Sequence, residues 1–298
     1  MKPFTKKNIF RFTVAMLFLG IIGVVFVVEN MMPYMPISPI RRTRNADPAD
    51  LQNLQTLDIE VANALILRGY FARAKQPKAT LILVHGIGGF KESFLGFARF
   101  LNSKNINVFL YDQRAHGKSD GKYCTFGYYE KKDISKIIDT IQKIAPQPIG
   151  IFGASLGGAV ALQALAEDKR LQFGIIESTF NTLENVVAEY GKGYFGFRSE
   201  WLARHVLRKS AVIANFDPFS VRPSEACKQI AQPLFFAHGT DDPKIPMTFN
   251  KENFVNTAST QKIFYEVQGA KHSNLHIVGG DAYKSKLIKF IDSVIPNN

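Results

Sequence analysis

The chain is poor in cysteine: two residues in 298, Cys124 and Cys227, with no Cys-x-x-Cys spacing. That excludes a disulfide framework and a cysteine-based zinc site. Free thiols are the expectation, and a single bridge stays open if the domain is exported. Histidine is sparse as well, with six residues and no His-Glu-x-x-His cluster. No metal is therefore expected, and no cofactor. Acidic residues are outnumbered, 25 Asp and Glu against 37 Lys and Arg, for a formal net charge of +12. Such a surplus suits an anionic membrane surface or nucleic acid. There is no zinc-finger spacing and no RNP-like stretch, so no nucleic-acid partner is expected. Internal repeats and long low-complexity tracts are absent too. What remains is 46% hydrophobic and 21% charged, ample for the core of one large α/β unit.

The first feature present is an anchor. Residues 1–8 form a basic tail with Lys2, Lys6 and Lys7, and residues 9–28 are apolar, interrupted only by Arg11. That length spans a hydrocarbon core of about 30 Å. The run ends Val27-Val28-Glu29-Asn30-Met31-Met32-Pro33, which lacks the small residues of a signal-peptide cleavage site. An uncleaved single-pass transmembrane helix is expected. The basic residues before the span point to a cytoplasmic N-terminus and an extracytoplasmic domain, while Arg41, Arg42 and Arg44 after it leave the opposite topology open. Residues 29–54 carry Pro33, Pro36, Pro39 and Pro48 and read as an extended tether with little regular structure.

Residues 55–298 alternate strand and helix patterns. Leu57–Val61 and Leu65–Phe71 suggest an opening antiparallel pair. Ala79–Val84 and Ile106–Tyr111 are continuous apolar runs, suited to strands buried on both faces. Helical stretches fall at about 91–103 and 128–144. Shorter strand patterns follow at 174–177, 233–237 and 262–267. Alternation of this kind predicts parallel crossover units. The run Ile149 to Gly158 is the centre of the arrangement: an apolar strand enters Gly153-Ala154-Ser155-Leu156-Gly157 and continues into a small-residue helix. Two flanking glycines let strand and helix approach closely and leave the serine exposed at a strained tip, the context of a nucleophile elbow.

With these motifs together the chain resembles the α/β-hydrolase superfamily, in particular its membrane-anchored serine hydrolases of the lysophospholipase-like and serine-peptidase-like branch. His85-Gly86 resembles that family's oxyanion loop, and Tyr111 to Ser119 resembles its Asp-x-Arg-Gly-His-Gly-x-Ser segment, with Ala115 where the pattern usually has Gly. His238 to Pro246 resembles the acid-bearing loop, and Gly269-Ala270-Lys271-His272 the histidine loop. The resemblance covers roughly residues 57 to 294. It implies an α/β-hydrolase fold with a mostly parallel central sheet flanked by helices, a short cap inserted at about 180–215, and no cofactor.

Serine is a weak nucleophile that needs a base, and the base needs an acid to orient it. Ser155, Asp242 and His272 follow the chain order this fold uses. Asp241 and His276 are the alternatives. The resemblance selects Asp242, immediately before Pro243, and His272, after the Gly-Ala turn. Leu156, following the nucleophile, would give one backbone N–H of an oxyanion hole, and by resemblance Ile87 the other. His85, His116 and His238, at strand-to-loop turns, read as structural, and His205 as a surface or cap residue. In the expected cap, Tyr194, Phe195, Phe197 and Trp201 are candidates to line an acyl pocket or simply to pack the cap. The expectation is a membrane-anchored serine hydrolase acting by acyl-enzyme on small-molecule acyl or lipid-like carboxylic esters or thioesters. A peptidase of the same fold is the alternative, and a non-catalytic membrane-tethered binding protein the second.

Overall fold

The computed structural model describes residues 6–44, 51 and 53–295. Residues 1–5 of the basic tail, 45–50 and 52 of the tether and 296–298 lie outside the described residues. The chain begins with helices α1 (Lys6–Asn30) and α2 (Tyr34–Ile37). Short strands follow: β1 (Leu54–Thr56), β2 (Ile59–Glu60), β3 (Ile66–Leu67) and β4 (Gly69–Ala72). Then come β5 (Ala79–Val84), α3 (Leu95–Ser103), β6 (Ile106–Tyr111), α4 (Glu130–Ile144), β7 (Ile149–Ala154), α5 (Leu156–Glu167) and β8 (Leu171–Glu177). Helices α6 (Leu183–Phe195), α7 (Glu200–Ala214) and α8 (Pro223–Cys227) precede β9 (Leu234–Gly239). The chain closes with α9 (Met247–Asn256), β10 (Lys262–Val267), α10 (Leu275–Val278) and α11 (Gly280–Val294).

The apolar runs make the sheet. Every residue of β5, β6 and β9 is buried, because helices cover both faces. Eight strands lie in the order β1-β4-β6-β5-β7-β8-β9-β10. From β6 to β10 all neighbours are parallel, while β4 runs antiparallel to β6 and to β1. One face packs on α4 and α5 through Ile134, Ile138, Val160 and Leu162. The other packs on α3 and α11 through Leu95, Leu101, Leu287 and Ile291. This is the α/β-hydrolase fold. The expected opening pair is split: β2 pairs with β3, Ile59 opposite Leu67, but Gly69–Ala72 leaves it to become β4 of the main sheet, where Phe71 and Ala72 are buried.

Helix α1 is 25 residues long with no buried residue, about 37 Å at 1.5 Å per residue. It is long and apolar enough to cross a membrane. The segment after it departs from the expected extended tether. Ile37 is fully buried and Met32 nearly so. The Cys124 N–H donates to the Ile37 carbonyl at 2.8 Å, and the Ser210 hydroxyl to the Pro33 carbonyl at 2.7 Å. Arg41 donates to the carbonyls of Ser119, at 2.6 Å, and Gly121. At the end of α1, Glu29 pairs with His205 and Lys209 of α7. Prolines stop long helices, but here they also leave room for one turn, α2, whose Ile37 the domain buries.

Candidate active site

Ser155 sits between β7 and α5 with φ 55° and ψ −119°, a conformation that costs a non-glycine residue about 1–3 kcal/mol. Glycines on both sides make the turn possible. A Cβ on Gly153 would lie 2.1 Å from the Gly157 carbonyl oxygen, and one on Gly157 would lie 1.9 Å from the Val84 carbonyl oxygen. The turn is held by the Ser155 N–H on the Glu177 carbonyl, 2.9 Å, and by the Thr179 hydroxyl on the Ser155 carbonyl, 2.7 Å. Among the described residues the Ser155 hydroxyl joins no hydrogen bond, and the N–H groups of Ile87 and Leu156 donate none.

The candidate acid and base stand at the ends of the two strands that follow β8. Asp242 follows β9 and His272 follows β10; these strands are parallel, with Val267 opposite Gly239. His272 Nδ1 lies 2.8 Å from Asp242 Oδ2, which leaves Nε2 as the nitrogen for a further partner. The other carboxylate oxygen of Asp242 accepts from the N–H groups of Lys244, 2.9 Å, and Ile245, 3.1 Å. His238 Nε2 is 3.2 Å from Asp242 Oδ2. Burial pulls the Asp242 carboxyl upward, but its bonds from His238 and His272, the His272 charge and the Lys244 N–H outweigh that and hold it well below its ordinary 3.8. Asp242 therefore stays ionised and able to orient an imidazole. Neither alternative shares this geometry. Asp241 takes the Thr240 hydroxyl, and His276 stacks near Phe97 with its proton affinity lowered by burial and by Lys284.

His85 holds a loop. His85 Nδ1 is 2.8 Å from the Gly86 carbonyl, and its Nε2 accepts from the Gln113 N–H at 3.1 Å. Burial and the neighbouring His116 push His85 down to about 3, so it is neutral. Ala115, standing where the resembling pattern has Gly, has φ 62°, a left-handed position that explains the glycine preference. Cys124 and Cys227 are both buried and free.

A cavity of about 470 Å³ opens beside Ser155, within the range of small-molecule sites, and reaches Ile87, Leu156, Tyr194, Phe195 and Phe197. Helices α6 and α7 occupy the stretch where a cap is expected. Helix α6 runs through Gly191 and Gly193 to Phe195, so Tyr194 and Phe195 occupy its last turn. Trp201 is apart from the cavity: it is 72% exposed and stacks on His205 at 5.7 Å. Met32, Met35 and Ile40 of the presumed tether line the cavity instead. The Met-Met-Pro-Tyr-Met-Pro-Ile run was the signal for it, since a solvated linker has no use for so many apolar side chains.

Beneath the elbow, the Glu177 carboxylate accepts from the Tyr283 hydroxyl. Burial raises it from 4.5 to about 7 against that hydrogen bond. Between those values the folded protein holds a proton that the unfolded chain releases. Stability is thus undiminished below about 4.5, falls as pH rises to about 7, and stays reduced above. Glu177→Gln is expected to stabilise by about 3 kcal/mol near pH 8 and to change little near pH 4. Unfolding midpoints at the two pH values check this.

The comparisons with known proteins agree with this fold. A family profile described as "Serine aminopeptidase, S33" matches residues 75–217. The Bacillus subtilis (strain 168) protein YqkD is 24% identical, over 76% of each chain. Mouse monoglyceride lipase is 32% identical across 101 residues, 33% of each chain. A solved Pyrococcus furiosus esterase superposes with a TM-score of 0.74 and 26% identity, covering 87% of this chain and 98% of that one. The chain belongs to the α/β-hydrolase superfamily and is a hydrolase.

Proposed function

We propose that this hydrolase works through Ser155 as nucleophile, His272 as base and Asp242 as orienting acid, on carboxylic esters or thioesters with an acyl or lipid-like chain. His272 takes the Ser155 proton as Oγ attacks the ester carbon. The oxyanion draws on the N–H groups of Ile87 and Leu156. The tetrahedral intermediate expels the alcohol or thiol, protonated by His272, and leaves an acyl-serine. Water, deprotonated by His272, then releases the acid and restores the serine. The observation that carries this reading is a strained serine with an uncommitted hydroxyl, at the edge of an apolar cavity. We also propose α1 as a single-pass anchor, preceding a hydrolase unit of residues 55–298 with a cap at about 180–215. Mouse monoglyceride lipase, by its name an ester hydrolase, favours this substrate class. The family profile's description keeps aminoacyl amides as a second reading.

Labelling of the full chain by a fluorophosphonate probe, and loss of that labelling in Ser155→Ala, tests the nucleophile. A panel of acyl esters, acyl thioesters and aminoacyl amides then separates the two readings. Cap aromatics give a further expectation. Replacing both Phe195 and Phe197 with alanine is expected to lower kcat/KM for long-chain over short-chain esters by about tenfold. An unchanged ratio removes them from the acyl site.

A further inference from the structure

The cavity is not built by the hydrolase unit alone. Met35 and Ile40 line it from the segment that joins α1 to the domain, together with Tyr194, Phe195 and Phe197 of the α6–α7 stretch. These are large apolar side chains left 51% and 72% exposed, on a segment that is otherwise tightly docked. Ile37, between them, is fully buried and its carbonyl is taken by Cys124. Arg41, just beyond, is fixed to the Ser119 and Gly121 carbonyls. The segment also reaches the oxyanion loop: a Cβ on Gly88 would lie 3.8 Å from the Ile40 carbonyl oxygen. A held backbone that aims apolar side chains into a cavity beside a serine is built for an apolar ligand.

We propose that Met35 and Ile40 are specificity-determining residues of the ester site, forming the wall against which the substrate's acyl chain lies and so reading its length. This rests on the esterase reading above. A chain leaving the Ser155 acyl ester enters a cavity lined both by the α6–α7 stretch and by residues 35–40. A bulkier side chain at either position shortens the slot, and a smaller one lengthens it. Specificity for chain length is thereby carried by residues outside the hydrolase unit itself, on the stretch that follows the apolar helix.

The test uses the full chain in detergent, with butyrate, octanoate and laurate nitrophenyl esters. Met35→Trp and Ile40→Trp are each expected to lower the laurate-to-butyrate ratio of kcat/KM by about tenfold or more, the scale of discrimination a few methylenes allow. Met35→Ala and Ile40→Ala are expected to move the preferred ester toward the longer chain. They also keep the proposal testable if a tryptophan variant fails to fold. Ratios within about twofold of the unaltered protein in all folded variants would overturn it. Fluorophosphonate labelling of every sample separates the two possible failures. If the unaltered chain is neither labelled nor active on any ester, the esterase reading fails. If it is labelled and active but its ratios ignore positions 35 and 40, the wall proposal alone fails.

Discussion

Ester turnover by Ser155→Ala is expected to fall by about 10⁴- to 10⁶-fold while the protein keeps its fold. The separation of the two effects follows from the geometry. The serine backbone holds the elbow through its N–H on Glu177 and its carbonyl under Thr179, and alanine keeps both groups. The hydroxyl joins no hydrogen bond among the described residues, so its removal leaves no buried partner orphaned. Lost activity then reports lost nucleophilicity and not lost structure. Residual turnover would come from the backbone N–H groups and from binding. The measurement is kcat/KM on a short-chain ester, beside a thermal melt of both proteins. Turnover near the unaltered rate would dismiss Ser155 as nucleophile.

The second large effect concerns stability. Gly157→Ala is expected to destabilise the domain by more than about 4 kcal/mol, or to prevent its folding. The added methyl would meet the Val84 carbonyl oxygen at 1.9 Å, its carbon at 2.6 Å and the His85 carbonyl oxygen at 2.8 Å. All three are backbone atoms at the end of β5, which has parallel neighbours on both sides. No rotamer can relieve the overlap, so helix α5 must lift from the sheet. Gly191→Ala is the matched control, since nothing lies within 4 Å of its added Cβ. In mid-helix α6 it is expected to be neutral or to stabilise by up to about 1 kcal/mol. Denaturant unfolding of the two variants checks the contrast. A loss below about 1 kcal/mol for Gly157→Ala would mean that the elbow is not packed as described.

These residues also mark what the sequence makes legible. Strands β5, β6 and β7 are readable because burial on both faces demands unbroken apolar runs. The elbow is readable because close packing demands glycine at two fixed positions. Asp242 and His272 are readable through loop motifs, and the structure joins those two side chains. Elsewhere local pattern and tertiary context diverge. Strand β1 is three residues long and too short for periodicity to register. Gly191 and Gly193 are poor helix formers, yet α6 continues through them, its preceding turns held by the buried Val186 and Ala188 and its last residue followed by Gly196 at φ 78°. Glu177 looks like an ordinary charged strand end. Its burial depends on Tyr283, 106 positions away, which no local window contains. Trp201 reads as an apolar wall for an acyl chain, but its ring stacks on His205, which pairs with Glu29, and does not line the cavity.

The clamp of Arg41 on the carbonyls of Ser119 and Gly121 bears on how the protein is handled. A fragment trimmed for solubility at about residue 50 discards that clamp together with Met32, Met35 and Ile40. Its cleft would be open along one flank, and two loop carbonyls would face water. Rates and chain preferences measured on such a fragment would describe a wider trough than the intact polypeptide possesses.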